Sequence, residues 1–141
     1  RFKQPFKWEQ IRIPENATDA DGDWNFQVIK VDTTYECEGC AHRFRDTRTN
    51  RDAMNANGFY AKQNPTADDA QVGFHWNALA ARSWGGLAEM YLRAKNAIDA
   101  NGDSKAMQIF EQKQLAKFWS DAPDAFDTLQ AIGQYKMGDA W

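Results

Sequence analysis

The stretch of residues 73–98, GFHWNALAARSWGGLAEMYLRAKNAI, decides how the rest of the chain is arranged. Residues 74–79 alternate between two sides, with aromatic and apolar types on one of them. This period of two predicts a short strand whose apolar side carries Phe74, Trp76 and Ala78. The pattern then changes to a helical one, so the stretch predicts a strand that leads into a helix.

The helix is predicted to begin after Ser83, whose hydroxyl can accept a hydrogen bond from an N–H group of the first turn. Apolar residues then recur at intervals of three and four, as on the buried face of an amphipathic helix. They are Trp84, Leu87, Tyr91, Ala94 and Ile98. Gly85 and Gly86 each lower helix propensity by about 1 kcal/mol relative to alanine. We therefore expect close packing or a bent entry in the first turn.

Strands are predicted before this unit and helices after it, an order typical of an α+β fold. The predicted elements are an extended segment ending at Pro14, a strand over 26–31, a helix from Asp46 or Thr47 to about Asn57 with Gly58 as its stop, a brief strand over 59–61, the 74–79 strand, and helices over 83–101, 104–118 and 125–132. The loop between the helices over 83–101 and 104–118 is short, which favours an antiparallel hairpin. Its facing residues would be Leu87, Tyr91 and Ile98 against Met107, Phe110 and Leu115.

Composition limits the class of protein. The 141 residues suffice for one modest domain, and 43% of them are hydrophobic, so the chain can bury a core. A net charge of −3 gives no global reason to expect affinity for nucleic acid or membranes. No apolar run approaches the roughly 20 residues of a membrane span. The chain begins at Arg1 and its first methionine is Met54, so we expect an internal segment of a longer, intracellular protein.

The two cysteines form a C-x-x-C motif, Cys37-Glu38-Gly39-Cys40. This is the spacing at which two thiolates approach one tetrahedral zinc ion from a tight turn. A structural zinc site needs four ligands, and the chain has no second cysteine pair, although His42 is a candidate third ligand. Two reduced cysteines in a turn remain the alternative. A redox role is disfavoured because no βαβ pattern surrounds the motif.

Four arginines crowd nine residues after the cysteines: Arg43, Arg45, Arg48 and Arg51. The last three are spaced by three, so we expect them on one flank of a helix. Arginine binds phosphate through two parallel hydrogen bonds, which makes the group a candidate contact with nucleic acid. The alternative is a solvated face that Asp46 and Asp52 partly neutralise.

A complete active site is missing from the sequence. There is no G-x-x-x-x-G-K-[ST] phosphate loop, no G-x-G-x-x-G and no nucleophile elbow. His75 lies between aromatic residues and is interpreted as a buried, hydrogen-bonded histidine. No residue of this chain is therefore assigned a catalytic role, and we expect it neither to hydrolyse ATP nor to cut DNA.

Several segments together resemble the large subunit of tailed-phage terminases, in the lambda-like (GpA) branch. They are F-H-x-N-A-L at 74–79, S-W followed by L-A-x-x-Y-L-x-A-K at 83–95, WEQIRIP at 8–14, YECEGCAHRF at 35–44 and QKQLAKFW at 112–119. These segments cover most of the chain in the same order. The resemblance implies a DNA-packaging motor that joins an N-terminal P-loop ATPase to a metal-dependent nuclease.

In such a protein the ATPase motifs precede the matched region and the nuclease carboxylates follow it, so ATP and magnesium would bind only in the full-length protein. Residues 1–45 would be a zinc-ribbon-like insert with half of its metal site, 46–80 a helix and strands of the late ATPase domain, and 81–141 a helical segment leading to the nuclease. The implied fold is thus an α+β fragment of an α/β P-loop ATPase region, with a zinc-ribbon-like knuckle and a helical hairpin. The implied metal is zinc at Cys37 and Cys40, completed by a further C-x-x-C upstream.

The implied partners are double-stranded phage DNA, the terminase small subunit and the portal protein, in the cytoplasm of the phage-infected bacterial cell and with no membrane association. The alternative function is a small freestanding zinc-knuckle module that binds DNA or a protein partner. A purely structural domain of another phage protein shares most of the same evidence.

Overall fold

A computed structural model describes residues 4–61, 66 and 74–119, so the helix expected over 125–132 lies outside the described residues. The fold is mixed α+β. The strands are β1 (Ile11–Arg12), β2 (Thr34–Glu36) and β3 (Arg43–Arg45), in an antiparallel sheet of order β1-β2-β3. The helices are α1 (Phe26–Asp32), α2 (Arg48–Ala56), α3 (Trp84–Asn101) and α4 (Lys105–Ile109), which continues as a π-helical segment (Phe110–Gln114). Short 3-10 helices cover Trp8–Gln10, Glu15–Ala17 and Ala78–Ala80.

The two faces of the sheet differ because side chains alternate along each strand. Ile11 is opposite Tyr35, and Tyr35 is opposite Phe44, so these three residues form the face that packs into the core. The residues between them point the other way, to solvent. One row of the solvent face is Arg12, Thr34 and Arg45, and the next row is Glu36 and Arg43.

Helix α3 lies against the core face of the sheet and has the predicted ends. The Ser83 hydroxyl accepts a hydrogen bond from the Gly86 N–H at 3.2 Å, and Gly102 ends the helix in the left-handed conformation at φ 73°. Trp84 is fully buried, and its Nε1 donates to the Leu79 carbonyl oxygen at 3.0 Å. The predicted cap, helix and apolar face are therefore confirmed.

An aromatic cluster ties the beginning of the chain to its last described helices. Trp8 packs on Tyr91 with ring centroids 5.2 Å apart and on Phe110 at 5.0 Å, and Tyr91 and Phe110 are 5.7 Å apart. The apolar faces of α3 and of the helix that follows Gly102 were expected to pack on each other, and their residues belong to one core cluster. Its buried members include Leu87, Met107, Phe110 and Leu115, and Tyr91 and Ile98 pack against them.

Close packing occurs at Gly85, as expected from a glycine in the first turn of α3. A Cβ atom added there would lie 2.3 Å from the Lys30 carbonyl oxygen and 2.7 Å from the Lys30 Cα. The backbone of α1 therefore crosses α3 at a distance that only glycine permits. Below the crossing, Ile29 of α1 is buried with Ala88 and Leu92 of α3.

The strand predicted over 26–31 is wrong, since these residues form α1. The Asn25 side chain accepts hydrogen bonds from the N–H groups of Gln27 and Val28 at 3.2 and 3.3 Å, which caps a helix. Phe26 and Ile29, three residues apart, then share the face that packs on α3. A short apolar run fits both the strand period of two residues and the helical period of 3.6, so its pattern does not identify the element. The Asn25 cap decides for the helix.

The strand predicted over 74–79 is also wrong. Asn77 accepts a hydrogen bond from the Leu79 N–H at 3.1 Å and donates to the Phe6 carbonyl oxygen at 2.8 Å, so it caps a 3-10 helix. The aromatic side faces outward, with Phe74 64% and Trp76 60% exposed. The interpretation of His75 as buried is wrong as well. Its Nε2 lies 2.9 Å from the Ala116 carbonyl oxygen, at an exposed position.

One further predicted helix is shorter than expected, and one further predicted strand is wrong. The helix expected from Ser104 to about Phe118 ends as the π-helical segment at Gln114, and Ala116 turns the chain with φ 53°. Residues 59–61, expected as a strand, are irregular. The helix expected from Asp46 or Thr47 is confirmed as α2, with the Thr47 hydroxyl accepting from the Asn50 N–H at 3.1 Å.

Candidate metal site

The C-x-x-C motif forms the tip of the β2–β3 hairpin. The Cys37 N–H donates to the His42 carbonyl oxygen, and the Ala41 N–H donates back to the Cys37 carbonyl oxygen, both at 2.9 Å. Ala41 adopts φ 56°, which reverses the chain directly after Cys40. Cys37 and Cys40 lie 3.5 Å apart, and Cys40 is exposed. The hairpin thus presents two adjacent thiols at its tip, a feature we call the knuckle (residues 37–41).

The Cys37 sulfur is surrounded by hydrogen-bond donors. The backbone N–H of Gly39, the backbone N–H of Cys40 and the Cys40 side chain all hydrogen-bond to it and lower its pKa. Donors stabilise the thiolate over the neutral thiol. The thiolate is the form in which cysteine binds metal ions.

The knuckle is fixed to the beginning of the described chain through Glu38. The Gln4 Oε1 accepts the Glu38 N–H at 2.8 Å, and the Lys7 Nζ lies 3.2 Å from both carboxylate oxygens of Glu38. Gln10, which is buried, donates to Glu38 at 3.4 Å and accepts from the Tyr35 hydroxyl. Burial raises the Tyr35 pKa to about 12, so its hydroxyl stays a donor at neutral pH. These contacts hold residues 4–10 beside the knuckle.

Among the described residues, Cys37 and Cys40 are the two candidate ligands that the structure brings together. Within residues 4–61, 66 and 74–119 no group of three or more His, Cys, Asp or Glu side chains is placed to hold a metal ion. His42, the candidate third ligand, instead packs edge-on against Phe44 with ring centroids 4.6 Å apart. Two thiolates fit zinc in chemistry and leave two positions for ligands from elsewhere.

A groove of about 460 Å³ opens beside Cys37 and gives such ligands room to approach. Its lining is mostly charged and carries both signs. The lining residues are Lys7, Glu9, Gln10, Arg12, Glu36, Cys37, Glu38 and Ala41.

The four arginines singled out in the sequence divide between two elements. Arg43 and Arg45 lie on β3 and only Arg48 and Arg51 lie on α2, so the single helical flank expected for the last three is wrong. Arg51 is an internal residue: it donates to the Asp46 carboxylate, with side-chain exposures of 17% and 3%. Asp46 also accepts the Gly85 N–H at 2.9 Å. Arg51 thus links α2 to the first turn of α3.

The other arginines are closer to solvent. Arg43 donates to Glu36 at 2.9 Å, and Arg48 lies 3.5 Å from Asp52 with both side chains exposed. Arg12 belongs to the same group, because its Nη2 donates to the same Glu36 carboxylate at 2.7 Å. No pattern in the sequence indicates this. Only the register of β1 against β2 reveals that Arg12 and Arg43 share a partner.

No protein-family model, no curated protein and no solved structure matches this chain. Among the helices of the described residues, none combines the length and the apolar character needed to cross a membrane. Evidence on function therefore comes from the chain's own residues.

Proposed function

We propose that this chain is a structural segment of the large subunit of a lambda-like (GpA) tailed-phage terminase, and that Cys37 and Cys40 supply half of a structural zinc site in it. The observation that carries the metal site is the knuckle, in which Cys37 and Cys40 lie 3.5 Å apart at the tip of the β2–β3 hairpin. Support for the terminase comes from the segments of sequence that resemble that family, in family order, over most of the chain.

In the proposed site each group has a defined task. The thiolates of Cys37 and Cys40 would bind the zinc ion directly. Glu38 would hold the knuckle through Gln4, Lys7 and Gln10, so that little ordering remains to be done when the metal binds. Bound zinc would stabilise the fold, because four ligands from two turns would join two parts of the chain. The free energy of zinc binding would then contribute to the free energy of folding.

In the full-length protein this segment would lie between the ATPase core and the nuclease. Residues 1–45 would form the zinc-ribbon-like insert, residues 46–80 the late ATPase domain, and residues 81–141 the connection toward the nuclease. ATP and magnesium would bind outside the segment, where the catalytic residues would lie. Its partners would be double-stranded phage DNA, the terminase small subunit and the portal protein, in the cytoplasm of the infected cell.

Metal binding by the knuckle is tested by titrating the protein with cobalt(II), which reports thiolate ligation through its near-ultraviolet absorption. We expect a weak but saturable thiolate-to-cobalt band in the wild type, because two ligands are preorganised and two are not. Cys37→Ser and Cys40→Ser should each abolish the band, and excess zinc should displace the cobalt.

His42→Ala serves as the control, since His42 packs on Phe44 and should leave the cobalt band unchanged. Loss of the band in His42→Ala would give the histidine a ligand role and contradict the proposed two-thiolate site. A wild type that shows no thiolate band in excess cobalt would contradict the site altogether.

The terminase proposal is tested separately, by sequencing the DNA that encodes the chain on both sides. We expect one open reading frame with a P-loop and a further C-x-x-C upstream, and with nuclease carboxylates downstream. A start codon beside Arg1 and a stop codon after Trp141 would leave the alternative, a freestanding zinc-knuckle module. That result would contradict the terminase proposal and would leave the proposed metal site unaffected.

A further inference from the structure

We propose that Cys37 and Cys40 are a reversible redox pair, which low-molecular-weight disulfides such as oxidised glutathione convert to an intramolecular disulfide, and that this reaction abolishes metal binding at the knuckle. The consequence for metal binding rests on the proposed zinc site, whereas the exchange reaction rests on the geometry of the knuckle alone. The absence of a βαβ pattern argues against a thioredoxin-like catalyst. In the role proposed here the protein's own thiols are the groups that are oxidised.

The two sulfur atoms of the knuckle face each other. Cys37 and Cys40 lie 3.5 Å apart, and the Cys40 thiol donates a hydrogen bond to the Cys37 sulfur. A disulfide bond is about 2.0 Å long, so the atoms need to approach by roughly 1.5 Å, a distance that side-chain rotation can cover. The two hydrogen bonds that close the turn, between Cys37 and His42 and between Ala41 and Cys37, join backbone atoms and use no sulfur. Oxidation therefore requires no change in the pairing of β2 with β3.

Different accessibility of the two cysteines gives the order of the exchange. Cys40 is exposed and Cys37 is partly buried, so Cys40 meets the glutathione disulfide first. Its sulfur attacks that disulfide, forms a mixed disulfide and releases one glutathione thiol. The Cys37 sulfur then attacks the Cys40 sulfur, which forms the new bond and releases the second glutathione thiol. The two protons and two electrons that the cysteines lose are those that the two glutathione thiols gain.

The contacts that hold the knuckle in place survive this reaction. The Glu38 N–H donates to Gln4, and the Glu38 carboxylate lies beside Lys7, so neither anchor involves a cysteine side chain. Oxidation removes both thiolates at once, and the thiolate is the form in which cysteine binds metal ions. Exposed disulfides are also among those that other thiols reduce readily. The pair therefore changes the metal site reversibly and leaves the fold as it is.

The exchange is tested by equilibrating the reduced protein with oxidised glutathione, blocking the remaining thiols with iodoacetamide and weighing the product by mass spectrometry. The wild type should lose both alkylatable thiols and carry no glutathione, and dithiothreitol should restore both thiols. The chain has two cysteines, so an intramolecular disulfide must join this pair. Cys37→Ser should stop at the mixed disulfide, with glutathione retained on Cys40.

His42→Ala is the matched control, because it alters the residue beside the knuckle and keeps both thiols. The His42 ring packs on Phe44, so this variant should be oxidised to the same extent as the wild type. A second measurement repeats the cobalt titration on the oxidised wild type. The thiolate-to-cobalt band should be lost, and it should return after reduction and removal of dithiothreitol. The oxidised and reduced forms should have nearly equal melting temperatures.

The inference fails if both thiols of the wild type stay alkylatable at equilibrium, if glutathione persists on the wild type, or if the disulfide joins two chains. It also fails if the oxidised protein melts far below the reduced one, because oxidation would then damage the fold. A disulfide in a protein whose reduced form binds no cobalt would contradict the proposed metal site and leave the exchange reaction standing. A cobalt band in a protein that forms no disulfide would contradict this inference alone.

Discussion

Gly85→Ala should destabilise the protein by about 3 kcal/mol or more, although alanine is the better helix former. The gain in helix propensity is about 1 kcal/mol. Against it, the new methyl group would lie 2.3 Å from the Lys30 carbonyl oxygen and 2.8 Å from its carbonyl carbon. Backbone atoms cannot rotate away as a side chain can, so α1 must separate from α3. The separation would expose Ile29, Ala88 and Leu92, which the crossing buries.

Gly86→Ala is the control for this prediction, because it makes the same change one residue later. Its added methyl group would meet the Ser83 Oγ at 2.6 Å, and that hydroxyl belongs to a side chain that can rotate. The lost cap and the gained helix propensity are each about 1 kcal/mol and nearly cancel. Urea denaturation should show a large fall in the midpoint for Gly85→Ala alone. Equal midpoints for the two variants would contradict the close approach of α1 and α3.

Phe110→Ala should cost about 3–5 kcal/mol of unfolding free energy. Phe110 is 1% exposed and lies in contact with both Trp8 and Tyr91. Truncation leaves a cavity between three parts of the chain, and the rings on either side are too large and too well packed to fill it. The near-ultraviolet circular dichroism of the aromatic residues should weaken at the same time.

Ile109→Ala is the matched comparison, since the neighbouring residue is 40% exposed. It should cost about 1 kcal/mol or less, because most of the removed surface already faces water. If the two variants unfold at the same urea concentration, the apolar face of the last helix is assigned incorrectly.

The sequence predicted best where one side chain determines a local structure. Ser83 and Thr47 cap α3 and α2 through their own hydroxyl groups, and Gly102 ends α3 because it adopts positive φ. The C-x-x-C turn is also closed locally, since the Cys37 N–H donates to the His42 carbonyl oxygen and the Ala41 N–H donates to the Cys37 carbonyl oxygen. In each case the determining atoms are within a few residues of one another, so spacing alone was informative.

Apart from the strand predicted over 26–31, which the local Asn25 cap overrides, predictions failed where distant contacts decided the outcome. The alternation of residues 74–79 is real, but the Asn77 side chain donates to the Phe6 carbonyl oxygen and His75 lies against the Ala116 carbonyl oxygen, so the segment follows these distant partners and pairs with no strand among the described residues. In the same way the four arginines after the knuckle indicated a concentration of positive charge, but their spacing did not predict which of them face solvent. Arg51 is turned inward to Asp46, and Arg12 joins the exposed group only through the pairing of β1 with β2. Sequence spacing cannot contain that information.

The position of Trp8 between Tyr91 and Phe110 has a consequence for synthesis on the ribosome. Translation proceeds at about 5–20 residues per second, so the partners of Trp8 follow it by roughly 5–20 s. Glu9 likewise waits for Lys117, its partner at 2.9 Å. During this interval the emerging chain displays Trp8 without its native neighbours Tyr91 and Phe110. The segment around Trp8 is thus made well before the residues that secure it, and in that interval its aromatic surface is exposed to chaperones and to aggregation.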